Sequence, residues 1–445
     1  MRLISAFTSD TDKALWRLAL PMIFSNITVP LLGLVDTAVI GHLDSPIYLG
    51  GVAIGAVATS FLFMLLLFLR MSTTGLAAQA LGAQNPQALA RAFMQPLLLA
   101  LLAGAAIVLL RYPLIELALR IVGGDGEVLE QARRFLEIRW LSAPAALANL
   151  VLLGWLLGVQ YVRAPVILLI VGNLLNIVLD IWLVMGLGWN VRGAAAATAI
   201  AEYATLLLGL WLAWRVMRLR GITLPMLRQA WRGDLRRLLA LNRDIMLRSL
   251  LLQLCFASLT IFGARLGSEV VAVNAVLMNL LTFTAYALDG FAYAVEAHSG
   301  HAYGARDGSQ LRKVWHAACR QAGLVALVFG LAYAVTGQQI VAALTSLPEL
   351  RALAAHYLPW QVILPLVGVW CYLLDGMFIG ATRGAEMRNS MAVAAAGYGL
   401  TLFSVPLLGN HGLWLALAVF LTLRGVALGW IWHRHQVRGS WFTAH

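Results

Sequence analysis

Six carboxylates interrupt the long apolar runs of this 445-residue sequence: Asp36, Asp180, Glu202, Asp289, Glu296 and Asp375. An ionised group in hydrocarbon costs several kcal/mol unless it is paired or hydrated, so each marks a place where charge is put to use. Asn176 and Asp180 are one helical turn apart and share a face, as do Thr198 and Glu202. Counting depth at about 1.5 Å per helical residue brings Asp36, Asn176, Asp180 and Thr198 to a similar level in the first half of the chain. Two carboxylates held close together raise one pKa, as burial does. Such a pair holds a proton at neutral pH, or sheds it to hold a monovalent cation, which is the chemistry of ion-coupled antiport. Asn176 and Thr198 taken alone read as hydrogen-bonding glue between helices. A carboxylate is an expensive choice for that role.

The other ionisable groups read differently. Arg70 and Arg424 also lie inside apolar runs. Their repeat positions predict two structural ion pairs, Arg70 with Glu202 and Asp289 with Arg424. Asp375 falls on the inner side of its helix and Glu296 two turns inward of Asp289. His298 and His301 share a face but have no third ligand nearby, so they predict a capping or interfacial role. Cys255, Cys319 and Cys371 show no pair or metal spacing and read as reduced thiols. No phosphate-binding loop, His-Glu-x-x-His or nucleophile elbow is present, so the expectation is no enzyme, no cofactor and no bound metal, with Na+ the alternative occupant at Asp36 and Asp180.

The elements that must carry these residues follow from composition. The chain is 61% hydrophobic and 12% charged, with a mean hydropathy of +0.81; soluble domains carry about 25% charged residues. Spanning helices of about 20 apolar residues are predicted near 14–41, 48–81, 87–110, 130–158, 163–187, 193–216, 242–265, 269–303, 314–336, 353–381, 388–408 and 412–433. The net charge of +12 sits in short loops, so it predicts topology rather than nucleic-acid binding. With a cytoplasmic N-terminus, 22 of the 32 basic residues fall inside and 8 outside. Both termini are therefore expected in the cytoplasm of a multi-pass inner-membrane protein. No cleavable signal peptide is expected, since the first apolar run is long enough to span. Nine arginines lie in 215–248, where Arg228, Arg232, Arg236 and Arg237 predict a helix lying on anionic lipid.

A shift of 222 residues lays Gln79-Ala-Leu-Gly-Ala-Gln-Asn on His301-Ala-Tyr-Gly-Ala-Arg-Asp, Gly41 on Gly263 and Gly158 on Gly380. The expected organisation is an N-terminal lobe (1–215), a basic linker (216–241) and a C-terminal lobe (242–445), six helices each. Six is even, so the repeat is parallel, with substrate expected between the halves and alternating access by rocking. Asp36 falls on Ser258 and Asp180 near Leu402, so the second half carries no copy of the carboxylate pair.

The stretches Leu18-Ala-Leu-Pro21, Val35-Asp-Thr-Ala-Val-Ile-Gly41, Asn176-x-x-x-Asp180 and Gly193-Ala-Ala-Ala-Ala-Thr198 resemble the N-lobe signatures of multidrug and toxic compound extrusion (MATE) transporters. Leu69-Arg-Met-Ser-Thr-Thr-Gly-Leu-Ala-Ala-Gln79 and Leu288-Asp-Gly-Phe-Ala-Tyr-Ala-Val-Glu296 resemble the DinF branch. The resemblance covers nearly the whole chain and implies an all-α, twelve-helix, V-shaped antiporter. It would export amphipathic or cationic compounds in exchange for H+ or Na+, as a monomer in the lipid bilayer. It maps the ion site onto Asp36, Asn176, Asp180 and Thr198, with Glu202, Asp289 and Asp375 as additional candidates and Pro21 as a helix-bending residue. A related branch uses a helix 7 glutamate in its C-lobe; none is present here, so Asp375 is expected to lack that partner. A flippase for a lipid-linked precursor shares the architecture and is the alternative reading. It should line its cavity with several cations.

Overall fold

A computed structural model describes residues 9–442 apart from 42, 44, 124, 125, 162 and 234, and leaves undescribed the side chains of 28–37. Among the described residues the chain is helical and has no strand. Eleven helices are long and apolar enough to cross a membrane. With α1 (Asp10–Gly41) before them, they are α2 (Pro46–Gly82), α3 (Pro86–Leu109), α4 (Gly126–Gly158), α5 (Arg163–Gly186), α6 (Val191–Leu219), α7 (Leu235–Leu266), α8 (Ser268–Gly304), α9 (Gly308–Leu344), α10 (Pro348–Gly380), α11 (Gly384–Leu408) and α12 (Asn410–Arg438). The expected twelve helices are thus present. Short helices Arg111–Val122 and Leu224–Gln229 lie between them.

The linker is shorter than expected. α6 continues to Leu219 and α7 begins at Leu235. Arg228 lies in the Leu224–Gln229 turn of helix, Arg232 beyond it, and Arg236 and Arg237 in the first turn of α7, so the four do not line one surface helix. Continuing helices satisfy their backbone groups internally, which a polar linker would leave to water.

Packing forms two compact units, one of residues 27–239 (the N-unit) and one of Ala240–His445 together with the chain up to Asn26 (the C-unit). The dividing points differ from 215 and 242 chiefly in α1, whose first half packs within the C-unit. There Asp12 is fully buried and accepts from Arg320 (3.1 Å) and Gln321 (3.1 Å) of α9. Trp16 meets Phe291 edge-on, and Asn26 donates to the Tyr286 carbonyl (3.1 Å).

The repeat is legible in backbone detail. Each α2–α3 and α8–α9 turn places a non-glycine residue at positive φ, Gln84 (53°) and Arg306 (54°), exactly one repeat apart in number. The following side chains, Asn85 and Asp307, cap the next helix by accepting from Ala88 N (3.2 Å) and Gln310 N (3.1 Å). Gln160 (60°) and Thr382 (55°) end α4 and α10 in the same conformation. Glycines then let α4 lie on α2 and α10 on α8. A Cβ on Gly158 would stand 2.8 Å from the Thr74 carbonyl oxygen, and one on Gly380 would stand 3.0 Å from that of Glu296. Gly154 and Gly376 do the same against the carbonyls of Arg70 and Ala292. In the last helix of each unit the register slips: Gly209 meets Leu152 and Gly429 meets Leu374, two residues short of the offset elsewhere, so Arg424 does not fall on Glu202.

Candidate functional site

The N-unit site is assembled by α5 and α6. The α-helical part of α5 ends at Asp180, and Ile181–Gly186 continues as a wider π turn. The Leu187 N–H reaches back five residues to the Trp182 carbonyl (2.9 Å). Such turns re-aim side chains and recur at functional sites. Gly193 lets α6 settle on that turn, since a Cβ there would stand 3.0 Å from the Leu183 carbonyl. The alanines after it keep α6 close, and Thr198 shares its hydroxyl proton between Asn176 Oδ1 (3.4 Å) and the Ala194 carbonyl (3.3 Å). Asn176 is buried, and Asp180, one turn further along the same face, is 0% exposed. Two of the four expected site residues, Asn176 and Thr198, therefore meet across the α5–α6 contact, and Asp180 is buried one turn further along α5. The side chain of the fourth, Asp36, lies outside the described residues.

Glu202, one turn beyond Thr198, is held by a residue the sequence reading left outside. Arg139 of α4 donates to both carboxylate oxygens, NH2 to Oε1 at 2.9 Å and NH1 to Oε2 at 3.1 Å. The expected partner Arg70 instead reaches Thr74 on its own helix (3.4 Å). Pro144 explains the geometry. It cannot donate to the carbonyl one turn back, so Trp140–Ser142 tightens into a 3₁₀ turn. Arg139 stands just before it, bonded to Ser142 Oγ (2.7 Å) and lying over the Phe63 ring at 5.4 Å. Asn149 adds a bond to the Glu202 backbone carbonyl (3.0 Å). A proline shortly after an arginine inside an apolar run was the available sequence signal.

In the C-unit, Asp375 Oδ2 accepts from Arg424 (2.6 Å) and from Arg248 of α7 (2.7 Å), all three side chains being buried. Arg424 thus pairs with Asp375, not with Asp289 as expected, and packs on the Phe420 and Tyr372 rings. Helix 7 does supply Asp375 with a partner, but a cation. Arg248 lies within the expected span 242–265, at the inner end where the count of inside arginines placed it. Asp289 is half-buried and Glu296 fully buried on α8. α1 runs through Pro21 without a break. His298 is half-buried on α8. No group of three metal-ligating side chains occurs among the described residues.

At the end of α12 the chain turns back at Gly439 (φ 63°). Arg383 donates to the carbonyls of Ser440 (3.2 Å) and Trp441 (2.6 Å), and His435 bridges Ser440 Oγ (2.6 Å) and Glu386 (3.0 Å). Trp441 is buried edge-on against Phe378 and Trp432. Nothing in the repeat announced this return.

Residues 21–182 and 245–407 each match the MatE family model, one match for each half of the repeat. The chain belongs to the MatE family. It is 76% identical to the DNA damage-inducible protein F of Escherichia coli (strain K12), covering 99% of this chain and 96% of that one. It is 27% identical to a probable multidrug resistance protein NorM of Pseudomonas putida, covering 96% of each. Its fold matches the outward-facing conformation of a multidrug resistance MATE family transporter of the MOP superfamily, with a TM-score of 0.86 at 21% identity over 100% of this chain and 99% of that one. Membership makes this MatE protein a multi-pass membrane transporter, not an enzyme, and bears out the DinF branch read from its motifs.

Proposed function

We propose that the chain is a secondary antiporter of the inner membrane, exporting amphipathic or cationic compounds in exchange for H+, or Na+, by rocker-type alternating access. The coupling ion is taken up at Asp36, Asn176, Asp180 and Thr198. The observation that carries the reading is the Thr198–Asn176 contact beside a fully buried Asp180. A carboxylate at that depth needs a proton, a cation or an opposite charge, and changes its affinity for them as water gains access. The repeat supports placing Asp36 there. Asp36 and Asn176 fall on Ser258 and Tyr398 at the common offset, and the Ser258 hydroxyl donates to Tyr398 at 2.9 Å in the C-unit.

The flippase alternative needs several cations available to a pyrophosphate. Arg248 and Arg424 are both engaged by Asp375, and Arg139 by Glu202, which favours the antiporter.

The test is efflux of a cationic dye, ethidium, from proteoliposomes under separate H+ and Na+ gradients. Asp36→Asn and Asp180→Asn should abolish gradient-driven efflux. Each keeps the size and most hydrogen bonding of Asp but can neither exchange a proton nor attract a cation. Asn176→Ala and Thr198→Ala should shift only the ion concentration at half-maximal rate. Normal gradient-driven efflux by both Asp→Asn variants would sink the assignment.

A further inference from the structure

We propose that the first parts of α2 and α4, with the short helix Arg111–Val122 that lies between them in sequence, form a cap that pivots as one body on three helix breaks and uncovers one end of the α5–α6 contact. It is the end that the arginine count turns outward. The proposal rests on the ion-site reading above and deepens it: the cap is the door between that site and outer water.

The breaks fall in consecutive helices of the N-unit. α2 stops at Leu65 and resumes at Phe68. Across the gap Leu66, Leu67, Leu69 and Arg70 each bond three residues back rather than four, at 3.0–3.3 Å. No proline or glycine lies between Phe61 and Arg70 to force this, and such tightening inside a helix marks hinges. α3 stops at Leu109 and the short helix starts at Arg111. Pro113 withholds the N–H that would have met the Leu109 carbonyl. α4 tightens at Trp140–Ser142, ahead of Pro144. The corresponding C-unit positions, 288, 332 and 362–364, lie inside unbroken α8, α9 and α10, so the repeat does not impose the breaks.

Beyond the breaks the pieces are bound to one another. A Cβ on Gly51 or Gly55 of α2 would collide with Gln131 or Phe135 of α4, so these two helices lie in close contact. Arg133 of α4 donates to Glu116 of the short helix (2.7 Å), whose Ile115 and Leu119 are buried. On the other side of the breaks α4 meets α2 through Gly154 on Arg70 and Gly158 on Thr74, one helical turn out of register with the cap. The cap's inner face shares an apolar cluster with the π turn and the start of α6: Ala132 and Leu136 with Val184, Val191, Ala194 and Ala195. Ala194 accepts the Thr198 hydroxyl, so this cluster closes the end of the α5–α6 contact toward which Asp180 lies. No hydrophobic force holds such small side chains together between membrane helices. The fastenings sit at the pivot instead. Tyr203 of α6 donates to the Leu141 carbonyl (2.8 Å), Trp140 donates to Thr59 (3.0 Å), and Arg139 holds Glu202.

The experiment places single cysteines at Ala132 and at Ala195, both fully buried, in the full-length chain with Cys255, Cys319 and Cys371 replaced by Ser. Their reaction with a membrane-impermeant maleimide added outside intact cells is timed. Both should react slowly, through the open cap alone. Pro144→Ala supplies the missing N–H and stiffens the α4 pivot, whereas Tyr203→Phe releases it. One hydrogen bond gained or lost changes the open population by about fivefold. Labelling at both positions should therefore slow by about that factor in Pro144→Ala and quicken by about that factor in Tyr203→Phe. If Pro144→Ala does not reach the membrane, Tyr203→Phe decides alone. Rates that ignore the variants, or that change at one cysteine and not the other, overturn the cap. The labelling needs no coupling ion, so an inert cap leaves the ion site standing. Normal efflux by Asp36→Asn and Asp180→Asn would remove the ion site while the cap still turned.

Discussion

At the scale of single residues, the C-unit and N-unit carboxylates call for opposite experiments. Asp375 takes two arginines on one oxygen, so its removal leaves two like charges buried together. Breaking a buried ion pair from one side costs about 3–5 kcal/mol, whereas removing both sides can be neutral. Asp375→Asn should therefore lower the thermal unfolding temperature in detergent markedly, and Arg424→Met added to it should recover part of the loss; strictly additive losses would argue against the cluster. The sequence reading expected Asp375 to lack a helix 7 partner, because helix 7 offers no acid. The cation Arg248 moves the expected effect from coupling to folding. Asn176, Asp180 and Thr198 were legible because their spacing matches a helical turn. Arg139 and Arg248 were not, because hydropathy cannot tell an arginine buried on a partner from one at a helix end.

Helices and their contacts carry the next set of consequences. Gly158 and Gly380 each face backbone atoms of the neighbouring helix, and backbone cannot rotate aside. Gly158→Val and Gly380→Val should each destabilise by about 3 kcal/mol, the upper end for overpacking, while Gly126→Val, with no atom within 4 Å of its added Cβ, should be nearly silent. Chemical unfolding curves of the three variants would decide it, and a silent Gly380→Val would refute the close approach. The chain return after α12 makes a second case. Trp441 fills a fully enclosed place, so Trp441→Ala should cost about 3–5 kcal/mol, visible as a lower unfolding midpoint with the carboxylate titration of the N-unit unchanged. The glycine pair was readable from the 222-residue shift. The return was not, because the seven residues after Arg438 are too few to carry a periodicity to read.

For the whole molecule, the helix count and the internal repeat were legible because hydrocarbon thickness fixes span length and the 222-residue shift keeps glycines and turn residues in place. Orientation follows from the arginines. Arg215, Arg218, Arg220, Arg228 and Arg232 are all exposed around the α6–α7 connection, and this side is expected in the cytoplasm. Single cysteines introduced at 223–231 should react with a membrane-impermeant maleimide only after cells are opened, and labelling of intact cells would reverse the topology. The packing of the first half of α1 was not legible. α1 is one continuous helix, yet its first half, up to Asn26, packs with residues from the far end of the chain.

That packing has a consequence for how the protein is made. The partners of Asp12, Trp16 and Asn26 lie 260 to 309 positions downstream in the case of the hydrogen bonds. Helices enter the membrane in order of synthesis, so the Asp12 carboxylate of α1 stays without Arg320 and Gln321 until α9 has been translated. α1 is thus made early and packed late.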